Sequence, residues 1–270
     1  MGQDYTSSGT GHYIQVNGMN MYYEDHGKGY PVILLHGGLS TGRTSWSKHI
    51  PILSPHFRLI VPDGRGRGKT DNPLQKFSYR LFAEDTIALC KALSLKKPII
   101  CGWSDGGQTA LEIGIHYPDF ARAIIVGGSV TAITDHYLKV IKKMGLKGAG
   151  DVDIDKLKEN RPEYVDRLTK LHSSVYGSDY WKTLLQQISH MWFDQSGLPG
   201  DYVQKIAIPC LLIIGDRDAA ISIEEYDKMY RIIPHAELCV LPNTTHSALH
   251  NENPELFSKT VIDFIKRQLE

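Results

Sequence analysis

Hydrophobic residues in this chain gather into short runs: Val32-Ile33-Leu34-Leu35, Phe57-Arg58-Leu59-Ile60-Val61, Ile99-Ile100-Cys101, Ala123-Ile124-Ile125-Val126, Cys210-Leu211-Leu212-Ile213-Ile214 and Glu237-Leu238-Cys239-Val240-Leu241. Most are rich in β-branched side chains and each is flanked by Gly or Pro, as strands are; the continuous run Val32–Leu35 is the kind expected of a strand covered on both faces. Ahead of them, residues 12–16 and 19–24 flank Asn17-Gly18, the strongest short hairpin signal, and predict an antiparallel pair. Helical composition fills the gaps: a short amphipathic stretch over 45–53, helices over 78–95 and from about 109, another over 222–232, and a last one from about Pro254. Strand, helix and strand alternate from residue 32 to 128, which predicts a parallel sheet with helices on both faces.

That rhythm stops between Val130 and about Gly200, where no apolar strand run occurs. The segment is charged and aromatic, and it reads as a helical insertion. Lys139-Val140-Ile141-Lys142-Lys143 is its solvated face, and Tyr164, Tyr176, Tyr180, Trp181, Trp192 and Phe193 divide between packing and pocket lining. The expected organisation is a discontinuous core, 1–129 and 201–270, carrying a helical cap over 130–200.

Chemistry concentrates where strands end. The run 99–101 stops at Gly102-Trp103-Ser104-Asp105-Gly106-Gly107, and a helix follows. In such a turn the middle residue is pushed into the open, and the glycines let strand and helix approach without a Cβ clash. Ser104 is thus a candidate nucleophile, and the backbone N–H of Asp105, in the first helical turn, a candidate oxyanion donor. His36-Gly37-Gly38-Leu39 ends an earlier strand, and the Gly38 N–H is the candidate second donor; His36 reads as a structural residue of that loop. Asp63-Gly64-Arg65-Gly66-Arg67-Gly68-Lys69-Thr70 suggests a phosphate loop. A Walker loop needs glycine where Asp63 stands, however, and Asp71-Asn72-Pro73 denies it an immediate helix.

Serine near neutral pH needs a base to take its proton and a carboxylate to hold the base's tautomer. Asp216, Asp218 and His246 follow the last two core runs. In a parallel sheet the carboxyl ends share one edge, so Ser104, one of these acids and His246 can converge there. Pocket candidates are Leu39, Trp103, Asp105 and Trp192. His250, four residues after His246, is a weak metal pair without a third ligand, so no metal or cofactor is expected.

Thirty basic and thirty acidic residues among 270 give no net charge, hence no footprint for nucleic acid or an anionic membrane, and a small-molecule substrate is expected. Cys90, Cys101, Cys210 and Cys239 are scattered and read as buried thiols of a reducing compartment. MGQDYTSSGT has no signal-peptide pattern and no run is long enough to span a bilayer, so the expected location is cytoplasmic. Met1-Gly2 with Thr6 fits a loose myristoylation pattern, but one acyl chain anchors marginally and no polybasic segment supports it. Asn243-Thr244-Thr245 is a glycosylation sequon that matters only in a secreted chain.

These motifs together, His36-Gly37-Gly38, Asp63 to Gly68, Gly102 to Gly107, Gly215-Asp216-Arg217-Asp218 and His246, resemble the α/β-hydrolase fold family over nearly the whole chain. The elbow hexapeptide is similar to that of the biphenyl-hydrolase-like (valacyclovir hydrolase) branch. The resemblance implies an α/β fold with a mostly parallel eight-stranded sheet, helices on both faces and an inserted cap. It favours Asp218 over Asp216 as the acid; the alternative acid position, after the strand that follows the elbow helix, is occupied by Gly127-Gly128-Ser129. A serine elbow argues against the haloalkane dehalogenase and epoxide hydrolase branches, which need an Asp nucleophile. The expected function is a serine hydrolase of small carboxylic esters. Aminoacyl-ester hydrolase, lactonase, thioesterase, amidase, aminopeptidase, perhydrolase and carbon–carbon bond hydrolase remain open, as does a small-molecule receptor, which burst kinetics would expose by slow or single turnover. Asp105 has two readings: a helix-start carboxylate, or a pocket anion that pairs with a substrate amine.

Overall fold

The computed structural model describes residues 10–246 and 252–270. The chain opens with β1 (Thr10–Val16) and β2 (Met19–His26), paired antiparallel about Asn17 and Gly18, whose φ values of 46° and 74° are those of a turn matching strand twist. β3 (Pro31–Leu35) follows, then α1 (Gly42–Trp46) and α2 (Ile50–Leu53), where the sequence suggested one amphipathic stretch. Pro51 explains the break: without an N–H it sits in the first turn of a new helix rather than continuing the old one. Next come β4 (Arg58–Pro62), α3 (Tyr79–Ala92), β5 (Ile99–Trp103), α4 (Asp105–His116) and β6 (Ala123–Gly127).

The segment after β6 holds α5 (Asp135–Lys143), the small hairpin β7 (Leu146–Gly148) and β8 (Asp151–Val152), then α6 (Ile154–Asn160), α7 (Pro162–Tyr176) and α8 (Tyr180–Trp192). The hairpin corrects the expectation of a purely helical segment. Its two strands have only Leu146 and Val152 as apolar residues, too few to show a strand pattern. Two 3-10 turns lead back to β9 (Cys210–Gly215), α9 (Ile223–Ile232), β10 (Ala236–Leu241) and α10 (Pro254–Leu269). His250 and the Met1-Gly2-Thr6 pattern lie outside the described residues. No helix among the described residues is long and apolar enough to cross a membrane.

The eight-stranded sheet runs β1-β2-β4-β3-β5-β6-β9-β10, parallel from β4 to β10. Along each central strand alternate residues serve opposite faces. Ile33, Ile100 and Leu212 join one core with Leu111 and Ile113 of α4, whereas Val32, Cys101 and Ile213 join another with Trp46, Phe257 and Val261. Both faces being apolar is why these strands read as unbroken runs. Cys90, Cys101 and Cys210 are buried, while Cys239 on the edge strand β10 is only half-buried. The inserted segment has a core of its own, in which Leu157, Leu168, Leu184 and Ile188 rest on Leu39, Tyr79 and Phe82.

Polar clamps set the loops at the sheet's carboxyl edge. His36 Nε2 accepts from Gly64 N at 2.7 Å, so Nδ1 carries the proton and faces the Gly37 carbonyl at 2.7 Å; one imidazole spans the loops after β3 and β4. Asp63 accepts from Gly42 N (2.8 Å) and Lys69 N (3.0 Å), and Arg65 pairs with Asp85 through bonds of 2.8 and 2.6 Å. The glycine-arginine run is therefore knotted inward. From α7, His172 Nδ1 accepts from Gly68 N (3.0 Å), Ser174 donates to the Gly68 carbonyl (2.6 Å) and Tyr176 accepts from Asn72 N (2.6 Å), tying the inserted segment to the same loop.

Burial pushes His36 down to about 3 and His172 to about 4, from 6.5, and raises Asp63 from 3.8 to about 6. Below pH 6.5 an unfolded chain protonates both imidazoles while the folded chain keeps them neutral, so acid favours unfolding. Asp63 acts oppositely, since its folded carboxyl takes a proton first. Near pH 5 each histidine costs about 2 kcal/mol against a gain of about 1 kcal/mol from Asp63. The thermal midpoint is therefore expected to fall between roughly pH 7 and pH 5. His172→Gln, whose amide oxygen can accept from Gly68 N–H, should show a smaller fall; an equal fall in calorimetric scans would contradict this account.

Candidate active site

Ser104 is the single residue between β5 and α4, held at φ 57° and ψ −120°. A non-glycine residue there costs on the order of 1–3 kcal/mol, so its surroundings must impose it. They do so by contact: a Cβ on Gly102 would press on the Gly106 carbonyl, one on Gly106 on the Leu35 carbonyl, and one on Gly107 on Ser129 Oγ. Hydrogen bonds complete the hold. Ser104 N donates to the Gly127 carbonyl (2.7 Å), and the Ser104 carbonyl accepts from Gln108 N (2.9 Å) and Ser129 Oγ (3.1 Å).

The three side chains expected to converge are brought together. His246 Nε2 lies 3.2 Å from Ser104 Oγ, and His246 Nδ1 lies 2.7 Å from Asp218 Oδ2. Asp218 has a fully buried side chain, and its other oxygen accepts from Ala220 N (2.9 Å) and Ile221 N (3.0 Å). The short contact to a carboxylate puts the imidazole proton on Nδ1, leaving the Nε2 lone pair for the serine proton. Asp216 points elsewhere. Its Oδ1 accepts from Thr244 N at 3.0 Å, bracing the loop that carries His246, as a turn role requires. Trp103 steadies that loop too, donating from Nε1 to the His246 carbonyl at 2.9 Å.

Ser104 opens into a cavity of about 340 Å3, bordered by all four expected pocket residues, Leu39, Trp103, Asp105 and Trp192. Gly38 borders it as well, on the loop whose Gly37 packs beside Ser104. The backbone N–H of Asp105 opens α4 and so has no acceptor within the helix. The opposite wall comes from the inserted segment: Tyr137, Ile141 and Met144 with Trp192. The sequence pattern gave no sign of Tyr137 or Met144, and it put Ile141 on a solvated basic face; Ile141 is instead 3% exposed and lines the cavity, because the lysines of that run and its apolar residues lie on opposite sides of one helix. Among the described residues no cluster of His, Cys, Asp or Glu is placed to hold a metal ion.

The Asp105 side chain turns into the site rather than onto the helix amides. Its Oδ1 accepts from Tyr79 OH and Trp192 Nε1, both at 3.0 Å, and Oδ2 lies 3.1 Å from the same indole nitrogen. The residue is 4% exposed, and burial raises the pKa of its carboxyl. Tyr79 was not anticipated, because nothing in the composition of α3 distinguishes a packing tyrosine from one that donates to a carboxylate.

Gly38 allows this closeness: a Cβ there would strike Trp192, lie 2.6 Å from Asp105 Oδ2 and touch Ile188 at 3.0 Å. Gly38→Ala is expected to lower stability by about 1–3 kcal/mol through overpacking against α8, as read by denaturant melts. An unchanged midpoint would mean that the loop and α8 are not in contact as described.

Comparison with known proteins agrees with this architecture. A model of the "Alpha/beta hydrolase family" matches residues 32–260. Over 265 residues the chain is 27% identical to the human protein "Serine hydrolase BPHL", covering 94% of this chain and 85% of that one. It is 26% identical over 264 residues to the "2-hydroxy-6-oxo-6-(2'-aminophenyl)hexa-2,4-dienoic acid hydrolase" of Metapseudomonas resinovorans, covering 95% and 91%. A solved serine hydrolase of carbazole degradation superposes with a TM-score of 0.75 at 25% identity, covering 96% of this chain and 99% of that one. A thermophilic esterase from Thermogutta terrifontis shares the fold at a TM-score of 0.73 and 22% identity, with 96% and 99% covered. With most of its length matched by the family model, this chain belongs to the alpha/beta hydrolase family, as a hydrolase similar to the biphenyl-hydrolase-like branch.

Proposed function

We propose that this hydrolase cleaves small carboxylic esters through an acyl-enzyme, with Ser104 as nucleophile, His246 as general base and then acid, and Asp218 as the group that orients the imidazole. The observation that carries the reading is the unbroken line of contacts from Ser104 Oγ through His246 to Asp218, at 3.2 and 2.7 Å. His246 Nε2 takes the serine proton as Oγ attacks the ester carbonyl. The resulting oxyanion sits between the N–H groups of Gly38 and Asp105. Collapse expels the alcohol, which receives the proton from Nε2, and a water activated by the same nitrogen releases the acid. No step calls on a metal or cofactor. Residues 130–200 act as a cap that shapes the acyl pocket, a reading supported by the share of the cavity wall they supply.

A second reading, hydrolysis of aminoacyl esters, is favoured by one observation: the carboxylate of Asp105 borders the cavity beside the nucleophile. A substrate ammonium could then pair with it.

Turnover of p-nitrophenyl acetate and butyrate tests the assignment. Ser104→Ala and His246→Ala are each expected to lower kcat on the order of 10⁶-fold, and Asp218→Asn about 10⁴-fold. Asp216→Asn should cost far less, because that side chain braces a loop rather than the imidazole. If Asp216→Asn is the more damaging of the two in a folded protein, the acid has been misassigned.

A further inference from the structure

Behind the elbow lies a buried guanidinium without a partner. Arg67 is 3% exposed, yet no carboxylate among the described residues comes within ion-pair distance, and its Nε and Nη1 find no acceptor. Gly66 and Gly68, at φ values of 65° and 57°, turn the chain sharply on either side of it. Its guanidinium carbon stands 4.2 Å from the Phe82 ring centre and 5.2 Å from that of Phe77. Arginine does not deprotonate in proteins, so this is a permanent buried positive charge, and rings alone are a weak balance for it.

Elimination identifies the balancing anion. Asp85 is taken by Arg65, and Asp63 is held by the amides of Gly42 and Lys69. His36, beside it, is kept neutral by burial. A cavity of about 30 Å3 remains, the room of a single water, and both Arg67 and Asp105 border it. Burial raises the Asp105 carboxyl, and the positive charge of Arg67 is the main influence opposing that rise, as the Asp105 carboxylate is the main influence opposing the loss of charge on Arg67.

We propose that Arg67 is the counter-charge of Asp105, and that it thereby sets the site against substrates with a cationic acyl group. The inference rests on the ester-hydrolase reading above and decides between its two forms. Asp105 approaches the cavity with its charge balanced from behind and its oxygens taken by Tyr79 and Trp192. An ammonium on the acyl chain would add a second positive charge to a carboxylate that already has one. The same pairing removes an apparent defect, an uncompensated anion next to the developing oxyanion, because the dyad is neutral as a unit. Arg67 is a positioning residue; it does not touch the substrate.

The test uses two acyl groups of one shape, trimethylammonioacetyl and 3,3-dimethylbutyryl, as esters of the same alcohol. Arg67→Met is expected to shift the kcat/KM ratio toward the cationic ester on the order of tenfold relative to the unchanged protein, and Arg67→Lys to leave the ratio near its original value. No shift with Met, or an equal shift with Lys, overturns the selectivity role. Thermal melts of Arg67→Met, Asp105→Asn and the double variant test the pairing without activity: each single change should lower the midpoint, and the double change by less than their sum. Additive losses overturn the pairing. Failure of the unchanged protein to turn over either ester would count against the ester-hydrolase reading, and the melts would still decide the charge pair.

Discussion

Everything at the edge proposed to be catalytic depends on the backbone of one residue. Ser104 can hold φ 57° only because β5 and α4 meet without side chains between them, at Gly102, Gly106 and Gly107. The glycines remove the obstacle, and the hydrogen bonds of Ser104 with Gly127, Gln108 and Ser129 hold the turn closed. Relaxing the turn toward ordinary helix would swing Oγ away from His246. The parallel sheet supplies the rest of the geometry, since β3, β5 and β9 all end on this edge and carry Gly38, Ser104 and Asp218 there.

The second constraint is electrostatic. In the proposed reaction negative charge develops next to the carboxylate of Asp105, and burial makes any imbalance expensive. The chain answers with polar donors on the cavity side, Tyr79 and Trp192, and a cation on the far side, Arg67. Trp192 belongs to the inserted segment, so its hydrogen bond to Asp105 joins that segment to the elbow. Packing of Ile188 against the Gly38 loop brings α8 in at the same point.

The core was legible because its signals are local. Asn17-Gly18, the unbroken apolar runs and the glycine spacing of the elbow each impose their own backbone, and the strand ends located Ser104, Asp218 and His246. Asp218 needed family resemblance as well, because two aspartates two apart on one loop have the same composition. What stayed hidden depends on distant contacts. Tyr79 meets Asp105 across 26 positions of sequence, and β7 and β8 are too short and too polar to announce a hairpin. Arg67 was read as part of a loop resembling a phosphate cradle, whereas it is turned inward between Phe77 and Phe82. No pattern along the chain distinguishes a buried arginine from an exposed one.

The central claim is that this geometry makes Ser104 a covalent nucleophile, and rapid quenching with a p-nitrophenyl ester followed by mass mapping examines it most directly. The account predicts a burst of p-nitrophenolate approaching one per chain, with the acyl mass on the peptide containing Ser104 and carried by that residue. Steady turnover with no burst and no acylated Ser104, or an acyl group on a different side chain, would contradict it.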